Sequence, residues 1–391
     1  MVTGWVAPGW EPVRDALVRG CADDPGAAQL AVHHHGRLVV DLAAGPPGFG
    51  TDSAGVLMSV TKGLVAVCAH LLSERGALDL QAPVARYWPE FAAAGKAGTT
   101  VADLLTHRAG LPAFSPGPAG CGLPGLYDWD ARVEALAAMR PVWEPGRASL
   151  YHALTYGHLA GEVVRRVSGR GIGAFFADEV AGPLGLDLWI GLPAAQEHRF
   201  VPQFSVRPDP TPEQVAGFLA GLGLAPDAPL SLALRASQAE LAASVEGLTT
   251  REGRAAELPG AGGIGNARSL SRLYAALIGS VDGVRLLSPE TLERAVAPRD
   301  DVPPPPPLDG GDPAGRSRFG LGFELPRRGL AMLGEGSFGH AGAGGRLGMA
   351  DPGSGLAVGF VCTAMAWEPA AGPDPRWAEW TEAVTATAAA L

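Results

Sequence analysis

Lysine is nearly absent from this chain: only Lys62 and Lys96 stand against 28 arginines. Arginine supplies a permanent positive charge but cannot release its proton in a protein, whereas a buried lysine amine can be shifted far enough to act as a base. Chemistry that depends on a lysine base is therefore confined to two positions. Cysteine is scarce too. Cys21, Cys68, Cys121 and Cys362 are widely scattered, with no C-x-x-C pair and no histidine at ligand spacing, so they read as buried thiols rather than a disulfide framework or a metal site. No metal and no cofactor is expected. An excess of basic charge is also missing: the net charge is −10, which argues against nucleic acid or an anionic membrane surface as a partner. The longest strongly apolar run, residues 63–72, is too short to span a bilayer. The opening residues 1–5 lack the basic and apolar regions of a signal peptide, and a cytoplasmic location is expected. There is no G-x-S-x-G elbow and no H-E-x-x-H. Residues 260–265 formally match G-x-G-x-x-G, but they follow a polar, proline-containing stretch where a dinucleotide site requires a strand, so they read as a glycine-rich turn before a helix over 268–278.

What is present fits a folded, loop-rich enzyme of one large or two interleaved domains, since 47% of the 391 residues are hydrophobic. Residues 29–43 read as a β-hairpin turning at Gly36. Its run His33, His34 and His35 reads as a structural or solvated turn rather than a metal site, because neighbours on a strand point to opposite faces and do not converge on one ion. Glycine-separated strands are expected at 319–325, 337–340, 345–350 and 356–362, with a closing helix over 375–391. Between these sheet-forming ends lies a helical middle: a short helix capped by Thr100 with Asp103 at its third position, a helix over 151–166, and further helices near 211–220 and 232–243. Residues 303–307 form a polyproline connector, and Lys96, between Gly95 and Ala97, reads as a solvated loop residue.

The chemistry points to Ser59 and Lys62. Val60, Leu64, Val67, Leu71 and Leu72 recur at helical spacing up to Gly76, so Ser59 opens a buried helix on which Lys62, three residues on, shares its face. A serine hydroxyl is a poor nucleophile until a base accepts its proton, and burial can lower a lysine pKa far enough for that task.

The blocks Ser59-Val60-Thr61-Lys62, Leu104 to Pro112, Trp143-Glu144-Pro145-Gly146, Tyr151 to Gly157 and Phe338-Gly339-His340-Ala341-Gly342 occur in an order that resembles the class C β-lactamase superfamily. The match is most similar to its esterase branch, the family VIII carboxylesterases, and residues 183–193 also resemble that branch. The resemblance implies an α+β fold of the β-lactamase and penicillin-binding-protein type: an antiparallel sheet flanked by helices in a discontinuous domain, residues 1–85 and 258–391, with a mostly helical domain, 86–257, inserted.

Carried over by position, Ser59 is the nucleophile, Lys62 its base and Tyr151 the third member, with Tyr156, Tyr127 and Tyr87 as other candidates for that role. Which of Lys62 and Tyr151 takes the serine proton stays open at this point. The backbone N–H groups of Ser59 and Ala343 form the implied oxyanion hole, and His340, Gly342, Trp143 and His152 the implied substrate contacts. His107 and Arg108 are expected to hold a loop. The chain departs from its penicillin-recognising relatives at two points. It has Tyr151-His152-Ala153 in place of Tyr-x-Asn, and His340-Ala341-Gly342 in place of Lys-Thr-Gly, which removes a cation suited to a drug carboxylate. The expected activity is thus that of a serine carboxylesterase on small, neutral or weakly charged esters. Its closest rival is a transacylase that passes the same acyl group to an amine or alcohol. A small-molecule acyl donor is the expected partner.

Overall fold

The computed structural model describes residues 1–114, 125–312, 315–366 and 374–391; Cys121 lies outside them. The fold is mixed α+β. Eight strands, β1 (Val2–Val6), β2 (Ala28–His34), β3 (Arg37–Ala44), β4 (Arg318–Phe319), β5 (Glu324–Leu325), β6 (Phe338–Gly342), β7 (Arg346–Asp351) and β8 (Leu356–Cys362), form one sheet in the order β1-β3-β2-β8-β7-β6-β5-β4. Every neighbouring pair is antiparallel. Both ends of the chain therefore build the sheet, joined where β2 pairs with β8 from Ala28 opposite Cys362 to His34 opposite Leu356.

Alternation along the strands divides the core in two. Leu30, Val32, Leu42, Val358 and Phe360 face two helices, α1 (Glu11–Gly20) and the C-terminal α5 (Pro375–Ala390), through Trp10, Leu17, Trp377 and Trp380. Ala31, Ala350, Ala357 and Val361 face the opposite way, into a larger core with α2 (Thr61–Glu74), α3 (Thr155–Ser168) and α4 (Ala267–Ile278). Helix α4 lies flush on the sheet because Gly359 has no side chain: a Cβ there would stand 2.3 Å from the Ala267 carbonyl oxygen. The three histidines follow the same alternation. His33 is buried with Nδ1 2.9 Å from Ser271 Oγ, His34 stacks edge-on with Trp10, and His35 occupies the turn at φ 48°. No cluster of His, Cys, Asp or Glu able to hold a metal occurs among the described residues. None of the described helices is long and apolar enough to cross a membrane.

Four sequence expectations need correction. The helix expected from Tyr151 starts at Thr155, because the amides before it are claimed elsewhere: Leu150 N–H donates to the His107 carbonyl and His152 N–H to His107 Nδ1. The strand expected over 319–325 is broken by a turn, with the Gly320 N–H bonded to the Phe323 carbonyl, so that β4 and β5 pair with each other. The glycine-rich turn at 260–265 ends in a strand, Gly263–Gly265, at the centre of a three-stranded sheet with Gly55–Val56 and Leu188–Ile190. Lys96 is not solvated. It is fully buried, and its amine donates to the carbonyls of Ala93, Ala137 and Met139 at 2.9, 2.9 and 2.5 Å, two of them at the C-terminal end of the helix Trp129–Ala138, where a cation opposes the helix dipole. The short helix capped by Thr100 and Asp103 forms as expected, with a complete capping box.

Candidate active site

Ser59 sits in a single 3-10 turn, Met58–Val60, that runs directly into α2. Met58 adopts φ 50°, a left-handed conformation that costs a non-glycine residue of order 1–3 kcal/mol and persists only where its surroundings enforce it. Here they do. The Leu57 N–H donates to the Gly263 carbonyl at 2.8 Å, the Gly263 N–H donates to Thr61 Oγ1 at 2.9 Å, and that hydroxyl donates to the Met58 carbonyl at 2.6 Å. The glycine segment 260–263 thus stitches the serine turn to the helix behind it.

Lys62 is fully buried, whereas Ser59 remains partly exposed, so the hydroxyl is reachable from solvent while the amine beside it is dry. Lys62 Nζ stands 3.1 Å from Ser59 Oγ and donates to the Gly260 carbonyl at 2.7 Å. Burial pushes the amine down to about 7, with the Glu324 carboxylate pulling weakly the other way. The Tyr151 hydroxyl hydrogen-bonds Ser59, and its ring lies 4.9 Å from the Lys62 amine. Burial drives the Tyr151 phenol well above its ordinary range, against the opposing pull of the Ser59 hydrogen bond. The arrangement is therefore an amine that loses its proton near pH 7 and a protonated phenol, both beside one hydroxyl.

The loop after β6 approaches the same turn. A Cβ on Gly342 would stand 2.6 Å from the Leu57 carbonyl oxygen and 3.3 Å from Met58 Cβ, so glycine is needed for β6 to come this near. Ala343, next along, is partly buried and packs in one apolar cluster with Met58 and Leu154. Its loop is held from behind by two arginines. Arg346, fully buried, donates to the carbonyls of Val56 at 3.1 Å and Ala343 at 2.9 Å and to Gln203 Oε1 at 2.9 Å. Arg376 donates to the Gly344 carbonyl at 2.5 Å while paired with Asp374 and Asp24.

His340 lies with its ring 6.0 Å from that of Tyr151. Its Nδ1 bonds the Ala341 carbonyl at 2.6 Å, which assigns the proton to Nδ1 and leaves Nε2 a buried acceptor without a partner. Burial, reinforced by Lys62, lowers its pKa to about 3, so the ring is neutral. His152 is buried with both ring nitrogens engaged: Nε2 accepts from the Leu111 N–H at 3.1 Å and Nδ1 bonds the Leu150 carbonyl at 2.6 Å. Trp143 packs in a separate cluster with Leu150 and Leu219 and donates to the Ala148 carbonyl at 3.0 Å. Neither makes a hydrogen bond or ring contact to Ser59 or Lys62, although burial, helped by the Lys62 charge, lowers the His152 pKa. His107 fills the space between, its ring 4.8 Å from that of Tyr151 and 5.0 Å from that of Tyr156, while Arg108 pairs with Asp301 at 2.6 Å. Tyr156 is fully buried with its ring 6.0 Å from the Lys62 amine, Tyr127 packs against the apolar cluster of Leu154, and the Tyr87 hydroxyl accepts from the Asp79 N–H.

The Gly260 carbonyl, Glu324, Arg346 and Arg376 escaped sequence reasoning. The first acts through its backbone, and the others reach the site from elements distant in the chain. The one signal available was the glycine density around 260 and 344.

A serine flanked by a dry lysine and a phenol, set where a buried helix meets an antiparallel sheet, defines a serine-hydrolase-type enzyme of the β-lactamase fold. Residues 14–379 match the Beta-lactamase family model, and the chain belongs to that family. It is 35% identical over 359 residues to the esterase/beta-lactamase LipL of Mycobacterium tuberculosis, a match spanning 86% of this chain and 76% of LipL. Among solved structures it is similar to a family VIII carboxylesterase, with a TM-score of 0.82 and 34% identity over 99% of this chain and 100% of that one. It is also similar to EstA from Arthrobacter nitroguajacolicus Rue61a, with a TM-score of 0.82 and 31% identity over 98% of each chain.

Proposed function

We propose that the chain is a carboxylesterase that works through an acyl-enzyme on Ser59. The observation that carries this reading is the contact between Ser59 Oγ and a lysine amine lowered to about 7, already anchored through one N–H to Gly260. A neutral amine so held has its lone pair free for the serine proton. Lys62 takes that proton as Ser59 Oγ bonds to the acyl carbon, and the carbonyl electron pair moves onto oxygen. There the backbone N–H groups of Ser59 and Ala343 donate to it. When the bond to the alcohol oxygen breaks, the proton passes from Lys62 through the Tyr151 phenol to the leaving oxygen. Water, activated by the same pair, then attacks the acyl carbon, releasing the acid and restoring the Ser59 hydroxyl.

This division of labour, lysine as base and tyrosine as relay, follows from the opposite directions in which burial moves the two groups. The esterases among the relatives support the choice of ester, as does the neutral His340 at the position where penicillin-recognising relatives carry a lysine. Acyl transfer to an alcohol or amine would use the same intermediate, and would appear as a new product when such acceptors are added. The test is intact-mass spectrometry after brief exposure to a fluorophosphonate or a 4-nitrophenyl ester. The expected result is one adduct, absent from Ser59→Ala; an unmodified mass in the parent protein would overturn the mechanism.

A further inference from the structure

A cleft of about 980 Å³ is lined in part by Tyr151 and Phe319, whose rings stack 5.9 Å apart. Its wall is basic, in a protein whose net charge is −10. Arg299, Arg316, Arg318, Arg327 and Arg328 all line it, and Asp300 and Glu335 are the acids among its lining residues.

The pairing of these groups leaves donors over. Arg318 holds Asp300 at 2.9 Å, and Arg328 pairs with Asp312 outside the lining. Both carboxylates that follow Arg299 in sequence are thus taken, Asp300 by Arg318 and Asp301 by Arg108 at 2.6 Å. The exposed Arg299 side chain makes no hydrogen bond or ion pair among the described residues. Arg327 is half-buried, with a contact to Glu324 at 3.6 Å and a long hydrogen bond to the Arg328 carbonyl at 3.4 Å. The Nε–H groups of Arg316 and Arg327 are buried and lack any acceptor. An unsatisfied buried donor is costly, and an anion reaching it recovers that cost.

We infer that this cleft binds a carboxylate or phosphate group carried on the alcohol portion of the ester, with Arg327 and Arg299 as its main contacts. The inference rests on the acyl-enzyme reading above, because it is Tyr151, part of the cleft's lining, that hands the proton to the leaving oxygen and so marks the side on which the alcohol lies. It also revises the sequence expectation of neutral or weakly charged substrates. The cation missing at His340 beside the serine is supplied farther out, where it meets the far end of the alcohol rather than a group next to the scissile bond.

The test compares three acetate esters of matched size on the intact enzyme: 4-acetoxyphenylacetate, its neutral amide 4-acetoxyphenylacetamide, and 4-acetoxybenzylphosphonate. At low salt the anionic esters should exceed the amide in kcat/KM by roughly tenfold or more, the scale of a hydrogen bond to a charged group. The larger of the two anionic advantages tells a carboxylate site from a phosphate site. Added sodium chloride should shrink that advantage, because Arg299 is exposed. Arg299→Gln, at an exposed position compatible with folding, should reduce the anion-to-amide ratio severalfold, and Arg327→Gln should reduce it further. Anionic esters turned over no faster than the amide, or a ratio unmoved by both substitutions, would overturn the inference while leaving the esterase reading intact. Absence of turnover of all three esters together with absence of a Ser59 adduct would sink the acyl-enzyme reading itself.

Discussion

The Lys62 amine gives one hydrogen to the Gly260 carbonyl oxygen at 2.7 Å, and that bond fixes how the rest of the amine faces Ser59. A charged ammonium in the same place would have no acidic side chain hydrogen-bonded to it, since Glu324 acts on it only through space. The pocket therefore favours the neutral amine, the form a base requires.

Replacing Lys62 with arginine should lower kcat/KM by about 10²–10⁴-fold, the usual worth of a positioned general base, because arginine keeps the charge and cannot take a proton. Steady-state kinetics on an activated ester checks this, with circular dichroism to show that the fold survives. Retained activity would remove Lys62 from the mechanism.

The pH profile follows from the same group. With a folded pKa of about 7, the active neutral fraction grows as pH rises, so kcat/KM should climb through pH 7 and level off above about 8. The effect on stability has a defined sign. The folded state holds fewer protons on Lys62 than the unfolded state does between about 7 and the ordinary 10.5, so this group's contribution improves as pH rises through that window and is at its least favourable below 7. A profile with no inflection between pH 6 and 8 would contradict both statements.

Arg346 touches no reacting atom in this scheme, yet it fixes the Val56 carbonyl, three residues before Ser59, and the carbonyl of Ala343, whose N–H is a donor in the proposed oxyanion hole. Arg346→Met should cut kcat by about 10-fold to 10³-fold, up to the loss seen when an oxyanion donor is removed outright, and leave KM within a few-fold. A change confined to KM, or to melting temperature alone, would mark the arginine as purely structural.

Lys96 makes the opposite prediction. Lys96→Met should lower stability by about 1–3 kcal/mol, since three buried carbonyls lose their donor, while kcat and KM stay close to those of the parent enzyme. Urea unfolding alongside ester kinetics separates the two effects.

The pair Ser59 and Lys62 was legible in sequence because it depends on helix geometry alone, with two residues three apart on one turn. The strand at 356–362 and the capped helix at 101–105 were legible for the same reason, since their signals lie within a few residues. What could not be read depends on partners far along the chain. The helix Thr155–Ser168 starts late because His107, more than forty positions earlier, captures the amides of 150 and 152. Lys96 looks like a loop residue between glycines until the end of the helix Trp129–Ala138 turns its carbonyls toward it. The place of His152 beside Tyr151 suggests a substrate contact; that its ring nitrogens bond Leu111 and Leu150 is visible only in the folded loop.

The pairing of β2 with β8 also sets the order in which the enzyme can be made. Ser59, Lys62 and Tyr151 all leave the ribosome well before Leu356–Cys362 exists, so the nascent chain carries the open edge of β2 through most of its synthesis. The sheet has to wait for a strand near the chain's end, a non-local closure that slows folding and exposes an unpaired edge to aggregation. Chaperone demand should therefore fall on the interval between synthesis of residue 44 and residue 362, and ribosome-stalled chains ending before β8 should carry the nucleophile without esterase activity.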